Sequence, residues 1–536
     1  MASTPQLRLA LVLHAHLPWV RHASDEDVLE EAWLTQAIAE CYLPLIDVFE
    51  TWHRDGVRFA LTLSVSPTLA AMLDDGLLRE RVERRLGALA RLAESECRRH
   101  REDAELRRLA QLYLDRFTGA LARYRALDAD LLSAVARVAS RGGLELVTTA
   151  ATHAFLPSLK GLTGALHAQL RTGLAQHTRR FGAPPAGFWL PECGWLDEVG
   201  EILHHDLGVR WTVVETHGLA ASEPPAVRGP YAPIVSPSGL VVFARDPESS
   251  RQVWSAESGF PGDPVYREFH RDLGLEHDLR PFLDPGTADG RGFPTGIKYH
   301  AVTDRNSDRK RRYDPDAARA RAHQHATEFV DRCLARAPAL AEWLRMPPLL
   351  VTPFDAELFG HWWYEGPVFL DALVREAHRR GGSIELTTPS AYLENEPTQQ
   401  LARPSESSWG AGGYSASWLD PANSWAVREV RDVAERMERL ARERGSSADP
   451  ATRRALRQAG REALLSLASD WSFMLSAGTV GEYAERRIRE HRARFARLEK
   501  EIESDAIDLE WLDEAEASSP ELPEFDPRWF AGRATP

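Results

Sequence analysis

The sequence predicts an α/β protein organised on a parallel sheet, either a (β/α) barrel or an open doubly wound sheet. Three observations predict it: seven short runs of almost unbroken apolar character, helical stretches between them, and polar residues gathered where the runs end. A strand covered on both faces presents no side to water, so it reads as continuous rather than alternating hydrophobicity. Such strands alternating with helices are the pattern of βα repeats.

In chain order the runs are "LRLALVLHAH" (7–16), "VRFALTLSVSP" (57–67), "LELVTTAATH" (144–153), "AGFWLPE" (186–192), "RWTVVETH" (210–217), "LVVFARD" (240–246) and "LLVTPFDAE" (349–357). Between the second and third, residues 73–140 have charge-laced helical spacing and form a helical insert with a solvated face. Residues 246–300, rich in Gly, Pro and aromatics, read as long ordered loops. After a further strand-like stretch, "GSIELTTPSAYL" (382–393), a Pro/Ser/Gly-rich passage leads into three amphipathic helices. These divisions give a catalytic unit over 1–395, insert included, and a helical C-terminal domain over 396–536. The acidic, proline-bearing tail from about 506 reads as only partly ordered.

Composition narrows the classes of function. Of 536 residues, 43% are hydrophobic and 27% charged, as in ordinary globular proteins. The 65 basic against 79 acidic side chains leave a net charge of −14 with no basic block, which argues against a nucleic-acid partner. No apolar run reaches the ~18 residues of a membrane span. Four widely spaced cysteines form no C-x-x-C pair, which argues against a disulfide framework or a thiolate zinc site and suits a reducing cytoplasm. Glycine-rich nucleotide motifs and the G-x-S-x-G elbow are absent from the sequence. Sixteen tryptophans are an unusual surplus, suited to aromatic packing or to flat ligand platforms.

In parallel barrels chemistry collects at the carboxyl ends of the strands. Here those ends read HAH, TTAATH, LPE, VVETH and PFDAE. His14 and His16, two apart, share one face of their strand, and His153, Glu192, His217, Asp355 and Glu357 join them if the barrel closes. Glu192 lies between Trp189 and Trp195, and Asp355 precedes Trp362 and Trp363. Carboxylates with aromatic platforms are the materials of a sugar site, and two opposed carboxylates can break a glycosidic bond. Competing readings remain at this point: a metal pair in His-x-His, tryptophans that only pack, and Asp470 as a helix residue serving hydrogen bonding more than substrate.

At these residues the chain resembles glycoside hydrolase family 57, and within it the 1,4-α-glucan branching enzymes. Five blocks carry the resemblance in order: "HAHLPWVRH" (14–22), "LELVTTAATHAFLP" (144–157), "GFWLPECGW" (187–195), "VTPFDAELFGHWWYEGP" (351–367) and "ASDWSFML" (468–475). Residues 245–274 and 407–419 are also similar to this subgroup. The resemblance implies an incomplete TIM-like (β/α)7 barrel with a helical insert and a C-terminal helical domain. It implies a retaining enzyme acting on α-1,4-glucan without metal or other cofactor, cytoplasmic and part of glycogen synthesis. Carried over by motif, Glu192 is the nucleophile and Asp355 the general acid/base. His14, His16, His153, Trp189, Tyr231, Trp254, Trp362, Trp409, Trp418 and Asp470 would bind substrate. One departure stands out: members often carry a long loop with a tyrosine at its tip that shields the intermediate from water. Here the corresponding stretch, 218–240, is short and holds Tyr231 alone. A hydrolytic α-amylase using the same two carboxylates is therefore the alternative.

Overall fold

A computed structural model of the chain describes residues 5–23, 28–255, 258–276, 294–304, 307–478, 480–520 and 522–532. Its strands are β1 (Leu7–Ala15), β2 (Leu61–Val65), β3 (Leu144–Val147), β4 (Gly187–Phe188), β5 (Trp211–Val214), β6 (Ile234–Val235), β7 (Val241–Ala244), β8 (Leu349–Asp355), β9 (Ile384–Leu386) and β10 (Gln400–Leu401). Seven of them close a ring in the order β1-β2-β3-β4-β5-β7-β8, every pairing parallel. Two joins in that ring are single bridges, Thr148 to Phe188 between β3 and β4 and Arg245 to Val351 between β7 and β8. Of the two architectures open to the sequence, the chain adopts the seven-stranded barrel. β9 pairs with Leu7–Leu9 of β1, before β2 begins its own pairing at Leu11, so it fits beneath β2 rather than widening the ring.

The continuous apolar runs divide by parity. Leu9, Leu11 and Leu13 pack outward against helices, whereas Ala10 and Val12 fill the barrel with Val147, Trp189, Trp211, Val213, Phe243, Leu349 and Val351. Because side chains alternate along a strand, the inward parity of β1 continues to His14 and that of β8 to Asp355. Register brings these two side by side, since His14 pairs with Asp355 across β1 and β8 and with Ser64 across β1 and β2. A Cβ on Gly187 would meet the Trp211 ring at 2.1 Å, so only glycine lets β4 close against β5.

Several expectations shift. The strands are shorter than the apolar runs, most of all 144–153 and 186–192, because the chain turns out of the sheet at Thr148 and Trp189 to build the rim. Within 382–393 only Ile384–Leu386 is strand, and Thr388 caps a helix over Pro389–Asn395. The insert consists of helices, of which Gly76–Arg99 and Ala104–Ala126 are the longest. In 246–300, Asp246 caps a helix over Pro247–Trp254, while 256–257 and 277–293 lie outside the described residues. Past 395 the chain still serves the barrel, since β10 extends β6. The described residues of the tail are folded, where partial order was expected. Residues Leu509–Ser518 form a helix, and Leu512, Leu522, Phe525 and Phe530 are buried. The Phe530 carbonyl approaches Gly164 so closely that a Cβ there would lie 1.9 Å from it, and Arg454 pairs with Asp513 and Glu516. Apolar residues hidden among the charges, not the charges, decided this segment.

Candidate active site

Glu192 sits just past β4 in a tight turn, Pro191–Cys193, with its own backbone in the left-handed region at φ 61°. Cys193 (φ 53°) and His153 (φ 54°) share that conformation. Non-glycine residues held there are strained and persist where surrounding contacts over-determine them. The contacts on Glu192 are specific. Trp409 donates its backbone N–H to the Glu192 carbonyl at 2.9 Å and its indole Nε1–H to Oε2 at 2.6 Å. The Ser469 hydroxyl donates to Oε1 at 3.2 Å, and His153 Nδ1 lies 3.7 Å from the same oxygen.

Asp355 ends β8 across the mouth. Among the described residues no group donates a hydrogen bond to its carboxyl, which leaves it free toward the cavity. Two residues on, Glu357 is buried and held on one oxygen, Oε1, by the Tyr42 hydroxyl at 2.6 Å and the His16 backbone N–H at 3.0 Å. His16 Nε2 meets the Asp470 carboxylate at 3.1 Å, and its Nδ1 meets Ser66 Oγ at 2.9 Å. The matched spacing of His14/His16 and Ser64/Ser66 on paired strands was the sequence signal for these bonds.

Burial is the dominant electrostatic force. Withdrawal from water pushes Glu192 up to about 7, with the Trp409 and Ser469 hydrogen bonds pulling the other way. Asp355 is driven well above the usual carboxylate range, by burial first and then by the charges of Glu357 and Glu192. Burial likewise takes Glu357 to about 7 against the Tyr42 hydrogen bond. Both catalytic candidates are therefore raised, and burial is the first cause for each. His14 and His153 are pushed well down by burial. For His16 burial is outweighed by Asp470, with Glu357 and Glu192 adding to it, and the ring gains affinity for a proton.

The aromatic residues divide. Trp189, Trp409, Trp254 and Trp362 form a chain, with successive ring centroids 5.1, 6.2 and 6.3 Å apart, and Trp362 at its end is exposed. Trp418 is buried face to face on Phe155 at 4.4 Å, with its indole N–H unpartnered. Tyr231 is not brought to this cluster. Its hydroxyl accepts from Arg336 at 3.2 Å and its ring meets Trp343 edge-on at 6.0 Å, both on the helix Pro315–Leu344. His14 and His153 are buried beside Asp355 and Glu192, and His217 packs on Tyr414. Ser469, Tyr42 and Ser66 were not foreseen as site residues.

His16, His153 and Asp470 have donor atoms within 4.8 Å of one another, which is metal-ligand spacing. The ring geometry opposes that use. The two imidazoles are stacked, centroids 4.0 Å and planes 18° apart, while each nitrogen lone pair lies in its own ring plane. No point lies in both planes at the ~2.0–2.1 Å of a metal–imidazole bond.

Comparison with known proteins gives the family. A model described as glycosyl hydrolase family 57 matches residues 10–279, and one described as the C-terminal part of 1,4-alpha-glucan branching enzyme matches 429–530. A 1,4-alpha-glucan branching enzyme of Thermococcus kodakarensis is 31% identical over 527 residues, 92% of this chain and 73% of that protein. A probable 1,4-alpha-glucan branching enzyme of Mycobacterium tuberculosis is 30% identical over 509 residues, 90% of this chain and 89% of that one. Among solved structures, the alpha-amylase AmyC of Thermotoga maritima superposes with a TM-score of 0.90 at 35% identity over 100% of both chains. A GH57-type branching enzyme of Pyrococcus horikoshii does so at 0.87 and 30%, covering 99% of this chain and 98% of that one.

Proposed function

The chain belongs to glycoside hydrolase family 57, and from that premise we propose that it is a retaining 1,4-α-glucan branching enzyme. Glu192 attacks the anomeric carbon of an α-1,4 bond while Asp355, whose hold on its proton is strengthened by burial and by the neighbouring carboxylates, gives that proton to the departing 4-oxygen. The ester that results links the donor chain to Glu192. Asp355, now ionised, takes the proton of an incoming 6-hydroxyl, which displaces Glu192 and creates an α-1,6 branch. Trp254, Trp362 and Trp409 offer ring faces to the glucan path, Trp189 supports Trp409 from the barrel interior, and Trp418 and Asp470 belong to its wall.

The observation that favours branching is the C-terminal helical segment. Residues 429–530 match the branching-enzyme C-terminal model, and this same segment supplies Ser469 and Asp470 to the carboxylate cluster. Hydrolysis is the second reading, supported by the short 218–240 stretch, by the placing of Tyr231 against Arg336 and by the likeness to an alpha-amylase structure. Incubation with amylose separates them: new α-1,6 anomeric protons in the NMR spectrum support transfer, whereas reducing ends without branches refute it. We place the reaction in the cytoplasm, in glycogen synthesis. The four cysteines are free, as a reducing compartment leaves them, and no described helix is long and apolar enough to cross a membrane.

A further inference from the structure

Beside Glu192 lies a row of polar groups that the double-displacement scheme does not use. Ser64 Oγ is 3.2 Å from His14 Nδ1, and His14 Nε2 is 2.9 Å from His153 Nε2. His153 Nδ1 is 2.9 Å from Ser469 Oγ, and Ser469 Oγ is 3.2 Å from Glu192 Oε1. The His14 and His153 ring planes are 17° apart with centroids 4.8 Å apart, and their two Nε2 atoms lie at hydrogen-bond distance. All four inner members are buried.

Each imidazole in the row can be neutral with one N–H, and the choice of nitrogen is fixed from one end. An ionised Glu192 only accepts, so the Ser469 hydroxyl spends its single proton there. Ser469 Oγ must then accept from His153, which places that ring's proton on Nδ1. His153 Nε2 is left as an acceptor, so His14 donates from Nε2, and His14 Nδ1 accepts from Ser64. Charge on either ring is opposed by burial, which pushes both histidines well down.

We propose that Ser64, His14, His153 and Ser469 form a one-way hydrogen-bond relay whose last donor points at the nucleophile, making His153 and Ser469 positioning residues for Glu192. Every bond in the row is oriented with its positive end toward the carboxylate. Chains of this kind polarise one another in a low-dielectric interior. The relay and the Trp409 indole thus hold the two oxygens of Glu192 from opposite sides and favour its ionised form. Other charges face Glu192 too: Asp470 beside Ser469, His16 from β1, Asp355 from β8 and Arg245 beyond the Trp409 ring. His16 stacks on His153 at 4.0 Å, and a proton on His16 further discourages one on the relay.

The assignment rests on Glu192 being the nucleophile, and the test separates the two claims. Neutron diffraction from deuterated crystals of the unaltered full chain near pH 8 should show deuterons on His153 Nδ1 and His14 Nε2 and none on the other ring nitrogens. A deuteron on His153 Nε2 overturns the relay. In solution, Ser469→Ala should raise the acid limb of kcat/KM for glucan cleavage by about one pH unit, so that activity falls about tenfold more at pH 6 than at pH 9. Ser469→Thr, which keeps the hydroxyl, should restore the limb. A folded Ser469→Ala enzyme whose acid limb does not move overturns the proposal, since a merely structural role would lower activity equally at all pH. A chain without action on glucan would sink the branching reading and leave the deuterons to decide this one.

Discussion

Glu192→Gln should destroy turnover and make the protein more stable, and the second effect has a calculable size. In the folded chain burial pushes this carboxyl from 4.5 up to about 7. Each unit is worth about 1.4 kcal/mol, so ionising Glu192 inside the site destabilises the fold by about 3 kcal/mol above pH 7. The sign follows from proton uptake. Between pH 4.5 and 7 the folded state holds a proton that the unfolded state has released, so stability falls as pH rises through this window. Below it both states are protonated and the term vanishes. An amide of the same shape carries no such term. With an unfolding entropy of about 2 cal/mol/K per residue over 536 residues, 3 kcal/mol corresponds to about 3 °C in Tm. Scanning calorimetry of both proteins should show the variant melting about 3 °C higher at pH 8 and at the same temperature at pH 4. Amylose turnover should fall by about three orders of magnitude or more, as loss of a nucleophile implies. Equal Tm at pH 8, or the same gain at pH 4, would refute the claim that a buried charge is being held at the expense of stability.

Three further outcomes are expected. Glu357→Gln removes a negative charge that raises Asp355. Asp355 must be protonated to act as an acid, so the alkaline limb of kcat/KM should move down, by about one pH unit on typical neighbouring-charge effects; an unmoved limb contradicts the coupling. Tyr231→Phe removes only the hydrogen bond from Arg336, and the ratio of new branches to new reducing ends should stay within about fivefold, because one part-buried hydrogen bond contributes about 1 kcal/mol to local structure. A shift toward hydrolysis would show that the residue reaches the intermediate after all. Exhaustive chelation, followed by the same product assay, should leave activity intact because the stacked His16 and His153 rings do not converge on one ion; loss of activity restored by zinc would reverse that conclusion.

Much of the site was legible as strand ends. "HAH" and "PFDAE" announced inward-facing polar residues at the top of β1 and β8, and the pairing of His14 with Asp355 follows once those runs are parallel neighbours. The left-handed turn at Glu192 was hidden, since "FWLPE" reads as continuing strand while the chain leaves the sheet at Trp189. Roles assigned by motif also mixed two kinds of residue. His14 and His153 share the motifs of the site, yet their burial makes them supports beside it. The tail reads as partly ordered because its few apolar residues are outnumbered by acids, and only their common burial against the helices Thr163–Phe181, Ser424–Arg444 and Pro450–Ser466 reveals which matter.

The sequence by itself determined a parallel sheet covered by helices, since strands apolar on both faces have no stable place elsewhere, and it determined which residues reach the rim, since side-chain parity is a local property; that the sheet closes into a barrel was decided by the tertiary structure. Only the tertiary structure decided how those residues behave. Trp409 and Ser469 touch Glu192 across 217 and 277 residues of chain. Contacts of that range leave no periodicity to read. The rise of Glu192 and Asp355 is set by how completely the surrounding chain excludes water from them, and that is fixed by packing, not by the identity of the residues alone.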